Sequence, residues 1–109
     1  MLRLNGSELA TDKDGYLADL NDWSEDVAEI IAAKEGLSLS EAHWEIIHLL
    51  RDFYQEFELS PAMRPLIKYV RKKLGDEKAK SVYLLSLFPE SPPKLGAKIA
   101  GLPRPANCL

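Results

Sequence analysis

The seventeen residues "EAHWEIIHLLRDFYQEF", Glu41 to Phe57, constrain this chain more than any other stretch. Trp44, Ile47, Leu50, Tyr54 and Phe57 recur at three- and four-residue steps, and Ile46, Leu49 and Phe53 widen the apolar stripe. That spacing predicts a helix, because such residues share one face. A stripe this broad predicts a helix buried at the centre of its domain. Ser40, just before it, is able to accept a hydrogen bond from a free N–H of the first turn.

Other helices flank this one. Ser24 caps a helix over about 25–35, with Glu25 and Asp26 opposing the positive end of its dipole and Gly36 available to end it in the left-handed conformation. Within "SPAMRPLIKYVRKKLG", Ser60-Pro61 reads as a cap followed by proline at the first helical position. Pro65 removes an N–H, so the regular part is expected to begin near it and to end at Gly75. A fourth helix fits "DEKAKSVYLLSLF", 76–88, and a short fifth fits 93–100 before Gly101. At the other end, Asn5-Gly6 between short alternating apolar segments predicts a type I′ hairpin, and "DKDG" at 12–15 a second turn, giving a hairpin or three-strand meander over about 1–18. The expected fold is mostly α (α+β): a small helical bundle with a helix-turn-helix-like centre, an N-terminal β-hairpin and a flexible C-terminal arm. Residues 1–100 form the one domain and 101–109 the mobile arm, because Pro103 and Pro105 each remove a donor and hold the chain extended.

Charge divides the chain in two. Residues 1–58 carry four Lys or Arg against fourteen Asp or Glu, and residues 59–109 carry ten against three. Such asymmetry is compatible with an acidic partner, with nucleic acid, or with two faces that merely solubilise the fold. The N-terminus turns polar within five residues and no apolar run approaches eighteen, so a soluble, cytoplasmic protein is expected. Its single cysteine excludes an internal disulfide.

Most site chemistries fall away. His43 and His48 project about 140° apart around one helix, so they do not chelate a common ion; neither a metal nor a cofactor is expected. The six glycines match neither phosphate-binding spacing. A helix-turn-helix reader is conceivable from helices at 41–57 and 61–74, the second bearing Arg64, Lys68, Arg71, Lys72 and Lys73, although cations at a helix C-terminus also answer its dipole. That leaves Cys108, one residue from the end. Free cysteine usually behaves as a small buried hydrophobe, and here it lies on a proline-bearing tail with a reach of roughly 25 Å from Gly101. Lys98 and Arg104 could raise its thiolate fraction, while the Leu109 carboxylate opposes this. The residues alone leave both a fortuitous surface thiol and a reactive one open.

The tail "LFPESPPKLGAKIAGLPRPANCL", with "HWEIIHLLRDFYQEF", "SPAMRPLIKYV", the early "DxxGYL" and "W-S-E", resembles the DsrC/TusE family over nearly the whole chain. Members of the DsrC type carry a second arm cysteine, with ten residues between it and the penultimate one. Ala97 stands there instead, a single-thiol pattern that resembles the TusE branch. The resemblance implies a sulfurtransferase of tRNA 2-thiolation that accepts sulfane sulfur as a persulfide on Cys108 from a TusBCD-like donor complex. It would pass the sulfur to an MnmA-like thiouridylase bearing tRNA, without any cofactor or membrane, direct nucleic-acid contact being left open. The alternatives are a DsrC-like partner or gamma subunit of a sulfite reductase, and a helix-turn-helix nucleic-acid-binding regulator.

Overall fold

The computed structural model describes residues 2–4 and 6–105. The chain opens with strands β1 (Leu2–Leu4) and β2 (Ser7–Leu9), antiparallel with Leu2 opposite Leu9, Arg3 opposite Glu8 and Leu4 opposite Ser7. This is the register of a two-residue turn; Gly6 has φ +82°, and Asn5 lies outside the described residues. Of the two alternatives the hairpin forms, and a third strand is reduced to a single bridge between Thr11 and Leu17. The Asp12 carboxylate accepts the N–H groups of Asp14 and Tyr16, and Asp12 N–H donates to the Tyr16 carbonyl. Local side-chain bonding of this kind curls the chain where a strand would have to stay extended.

Five helices follow: α1 (Glu25–Lys34), α2 (Glu41–Phe57), α3 (Met63–Leu74), α4 (Ser81–Leu87) and α5 (Pro92–Ile99). Ser24 and Ser40 cap α1 and α2 as expected. The cap of α2 is reciprocal: Ser40 N–H donates to His43 Nδ1 at 3.1 Å while the His43 N–H reaches the Ser40 hydroxyl. The other ring nitrogen, Nε2, donates to the Leu87 carbonyl at 2.8 Å and ties the start of α2 to the end of α4. The buried face of α2 is centred on Ile46, Ile47, Leu50 and Phe53, whereas Trp44 and Tyr54 are half-buried and Phe57 is exposed.

Two helices start elsewhere than the sequence suggests. Helix α3 begins at Met63, capped by Ala62, so Ser60 and Pro61 precede it and Pro65 falls in the first turn. A proline there removes an N–H that has no intrahelical acceptor anyway, and the helix need not wait for it. The connection from α2 is therefore five residues, 58–62, longer than the turn of a helix-turn-helix reader. Helix α4 begins only at Ser81. Residues 76–79 form a turn, with Ala79 N–H bonded to the Asp76 carbonyl, that buries Ala79 and brings Lys78 to Glu45 at 2.7 Å.

The short α5 is the second centre of the molecule. It packs against each of the other four helices, and Pro92, Pro93, Gly96, Ala97 and Ile99 are buried. A β-carbon at Gly96 would stand 2.8 Å from Leu50 Cδ1, so the glycine sets how closely α5 approaches α2. Full burial of side chains such as Leu50, Leu66 and Ile99 contributes about 1.5–3 kcal/mol each.

Candidate functional site at the root of the C-terminal arm

The chain leaves α5 through Ala100 and Gly101, the latter at φ +72°. Gly101 N–H bonds to the Lys98 carbonyl and Leu102 N–H to the Ala97 carbonyl at 2.9 Å, the paired closure of a Schellman cap, with Leu102 buried beside it. Beyond this cap Pro103 and Pro105 have no N–H, and the segment continues neither helix nor strand. Its carbonyls still require donors.

Three side chains from distant parts of the sequence supply them. Trp23 Nε1 donates to the Ile99 carbonyl at 2.9 Å, Arg51 Nη1 to the Ala100 carbonyl at 2.6 Å, and Ser60 Oγ to the Pro103 carbonyl at 2.5 Å. The Arg51 guanidinium lies 3.9 Å from the centroid of the Trp23 ring, a cation–π contact. Trp23 also closes on Gly101, where a β-carbon would fall 2.3 Å from Trp23 Cδ1. Burial pulls the Arg51 pKa down from its ordinary value, yet a guanidinium stays charged, and its bond to a carbonyl is the stronger charge-assisted kind.

Arg104 fastens the far end. It pairs with Asp14, lies 3.5 Å from Asp12, and its guanidinium sits 5.1 Å from the centroid of Tyr16. The hydrogen bond to Asp14 raises the Arg104 pKa. For Asp12, desolvation pushes upward but is outweighed by the N–H groups of Tyr16 and Asp14 and by the Arg104 charge, so its pKa is lowered. Lys98 pairs with Glu35 at 3.2 Å and lies 5.5 Å from the same Tyr16 ring. Lys98 and Arg104 thus wall one cleft of about 380 Å³, together with Tyr16, Glu90 and Lys94. The fold brings the two candidate cations together and gives each a carboxylate partner. Cys108 and Leu109 lie outside the described residues. Ala97, where a second thiol would stand, is fully buried in α5.

The sequence places the start of the arm at Gly101. Among the described residues the chain instead stays on the body through Pro105, with Gly101, Leu102 and Pro105 buried. The prolines do keep it extended, but an extended chain with unpaired carbonyls is what the donors of α2 and the flanking turns hold. From Pro105 to Cys108 is three residue steps, a reach of roughly 10 Å set by covalent geometry, against roughly 25 Å from Gly101.

Sequence reasoning missed Trp23, Arg51, Ser60 and the Asp12–Tyr16 loop as site residues. A signal existed for Arg51, a cation within an apolar helix, whereas Ser60 reads as a helix cap and its true acceptor lies 43 residues away.

Residues 3–109 match the family described as "DsrC like protein", and the chain belongs to that family. It is 54% identical over 109 residues to the "Sulfurtransferase TusE homolog" of Haemophilus influenzae and 50% identical over 109 residues to the "Sulfurtransferase TusE" of Escherichia coli K12, each alignment covering both chains in full. Among solved structures, the NMR structure of Allochromatium vinosum DsrC matches with a TM-score of 0.89 at 47% identity, over 99% of this chain and 96% of that one. The oxidised gamma-subunit of the dissimilatory sulfite reductase (DsrC) from Archaeoglobus fulgidus matches with a TM-score of 0.86 at 36% identity, over 99% and 98%.

Proposed function

We propose that this chain is a sulfur-relay protein, a sulfurtransferase whose working group is Cys108. It takes sulfane sulfur from a TusBCD-like donor complex and hands it to an MnmA-like thiouridylase for 2-thiolation of the wobble uridine of tRNA. Its relatives named as sulfurtransferases support sulfur transfer, and a cytoplasmic setting fits that work. In the loading step the Cys108 thiolate attacks the outer sulfur of a donor persulfide. The donor's S–S bond breaks, its cysteine leaves as thiolate, and a new S–S bond forms on Cys108, with no net oxidation. A single arm thiol restricts the chain to carrying, because with alanine at position 97 no intramolecular disulfide forms to expel the sulfur. The same substitution disfavours the two-thiol chemistry of a sulfite-reductase partner.

The observation that carries the mechanism is the fastened arm root. Bonds from Trp23, Arg51 and Ser60 hold the chain up to Pro103, and Arg104 extends the hold to the Asp12–Tyr16 loop. Donor and acceptor must therefore bring their active sites close to this face, or the clasp must open. On this reading Lys98 and Arg104, which line one cleft at the arm root, are assigned to favour a thiolate or persulfide.

Intact-mass spectrometry tests the proposal. After incubation with a cysteine desulfurase, cysteine and the charged donor complex, the wild-type chain gains the mass of one sulfur, dithiothreitol removes it, and Cys108→Ser never acquires it. A wild-type chain that stays unloaded beside a demonstrably charged donor overturns the proposal.

A further inference from the structure

We propose that the groove between the last turns of α2 and the outer face of α3 is a docking site for an acidic, amphipathic segment of a protein partner. One apolar side chain of that segment would enter the groove while flanking carboxylates meet Lys68 and Lys72. The groove holds about 460 Å³ and is lined by Phe53, Phe57, Pro65, Lys68, Tyr69 and Lys72. Phe57 is 48% exposed and neighbouring Leu59 53% exposed, an apolar surface of the kind that marks an interaction site.

The charges beside the groove select the occupant. Five cations of the body are paired with carboxylates: Arg3 with Glu8, Arg71 with Asp76, Lys78 with Glu45, Lys98 with Glu35 and Arg104 with Asp14. Lys68 and Lys72, one helical turn apart and both exposed, have no carboxylate within ion-pair distance among the described residues, and no carboxylate lines the groove. An apolar trough with unpaired Lys68 and Lys72 along its α3 side complements an acidic segment with an apolar anchor.

The ring geometry favours a side chain over a nucleobase. Tyr69 stands edge-on to Phe53 at 86° and to Phe57 at 77°, and Phe53 and Phe57 pack 4.6 Å apart. The rings meet edge to face or tilted and form no parallel platform of the kind on which successive bases stack. The Tyr69 hydroxyl donates to Glu56 at 3.2 Å, which holds the ring in place before any partner arrives.

The probe is a fluorescein-labelled synthetic helix-forming peptide with Leu and Phe at i and i+4 flanked by glutamates, titrated by fluorescence anisotropy. Saturable binding is expected, moving the backbone amide signals of Phe53, Phe57 and Tyr69. Affinity should fall about tenfold in the double variant Lys68→Glu/Lys72→Glu and with added salt. It should survive in Lys68→Arg/Lys72→Arg, and weaken in Phe57→Ser once a thermal melt shows that variant folded. Cys108→Ser should bind as wild type does, which separates this site from the sulfur-relay reading. The proposal is overturned if binding does not saturate, if a lysine-flanked peptide binds equally well, or if the charge reversal has no effect. It is also overturned if the face instead captures an unmodified tRNA transcript, or a second copy of this chain by sedimentation, in a manner lost on charge reversal.

Discussion

Helix α2 and the arm root from Ile99 to Pro105 both bury apolar side chains in the body, but their backbones are satisfied by different means. Helix α2 satisfies its own backbone and is held by apolar side chains, with Ile46, Ile47 and Leu50 inaccessible to solvent. In the arm root, an early cap and two prolines leave the carbonyls of Ile99, Ala100 and Pro103 to be answered by Trp23, Arg51 and Ser60. Apolar burial is cooperative and shared with the whole core. Discrete side-chain bonds to single carbonyls can break locally without unfolding the helices they join.

The comparison breaks if the two regions cannot fail independently of each other. Leu50→Ala empties fully buried volume between α2 and α5 and should lower global stability by about 2–5 kcal/mol in urea unfolding. Gly101→Ala forces a β-carbon onto Trp23 at a positive φ, at roughly 1–3 kcal/mol. Its effect should appear as faster hydrogen exchange of the Leu102 amide, with little change in the amides of α2. Arg51→Met keeps much of the side-chain length but leaves the Ala100 carbonyl without its donor, about 1–3 kcal/mol, and should also act on the arm root first. An Arg51→Met melt displaced as far as that of Leu50→Ala would show that clasp and core are a single unit.

Smaller effects sharpen the picture. Asp12 has a lowered pKa in the folded chain, so its contribution is present above the unfolded value, near 3.8, and is lost as pH falls through the lowered folded value. The Tyr16 and Asp14 amide signals should therefore hold at pH 5 and shift only in stronger acid, and Asp12→Asn should abolish that shift. Arg104→Gln removes a half-exposed ion pair and should change global stability little. Its sharper readout is the rate of Cys108 loading from the protein donor, compared with alkylation by a small reagent.

Legibility in the sequence followed distance along the chain. The bounds of α2 were readable because stripe, cap and periodicity lie within eighteen consecutive residues. The start of α3 was misplaced because Ser60 is bonded not to the next turn but to Pro103. The start of α4 was set too early because the pull of Glu45 on Lys78 and the burial of Ala79 are tertiary facts. At the arm root, Lys98 and Arg104 were nameable, while Cys108 lies outside the described residues. The partners of Lys98 and Arg104, 63 and 90 residues away, were not.

The sequence by itself determined that this chain forms capped amphipathic helices around one central helix, and that its lone thiol stands on a proline-bearing tail. Periodicity, capping and missing N–H groups act between near neighbours and need no knowledge of the fold. Only the tertiary structure decided that α5 shares the centre with α2, and that the tail stays fastened through Pro105. Those outcomes depend on which donors the packed body brings opposite each unpaired carbonyl.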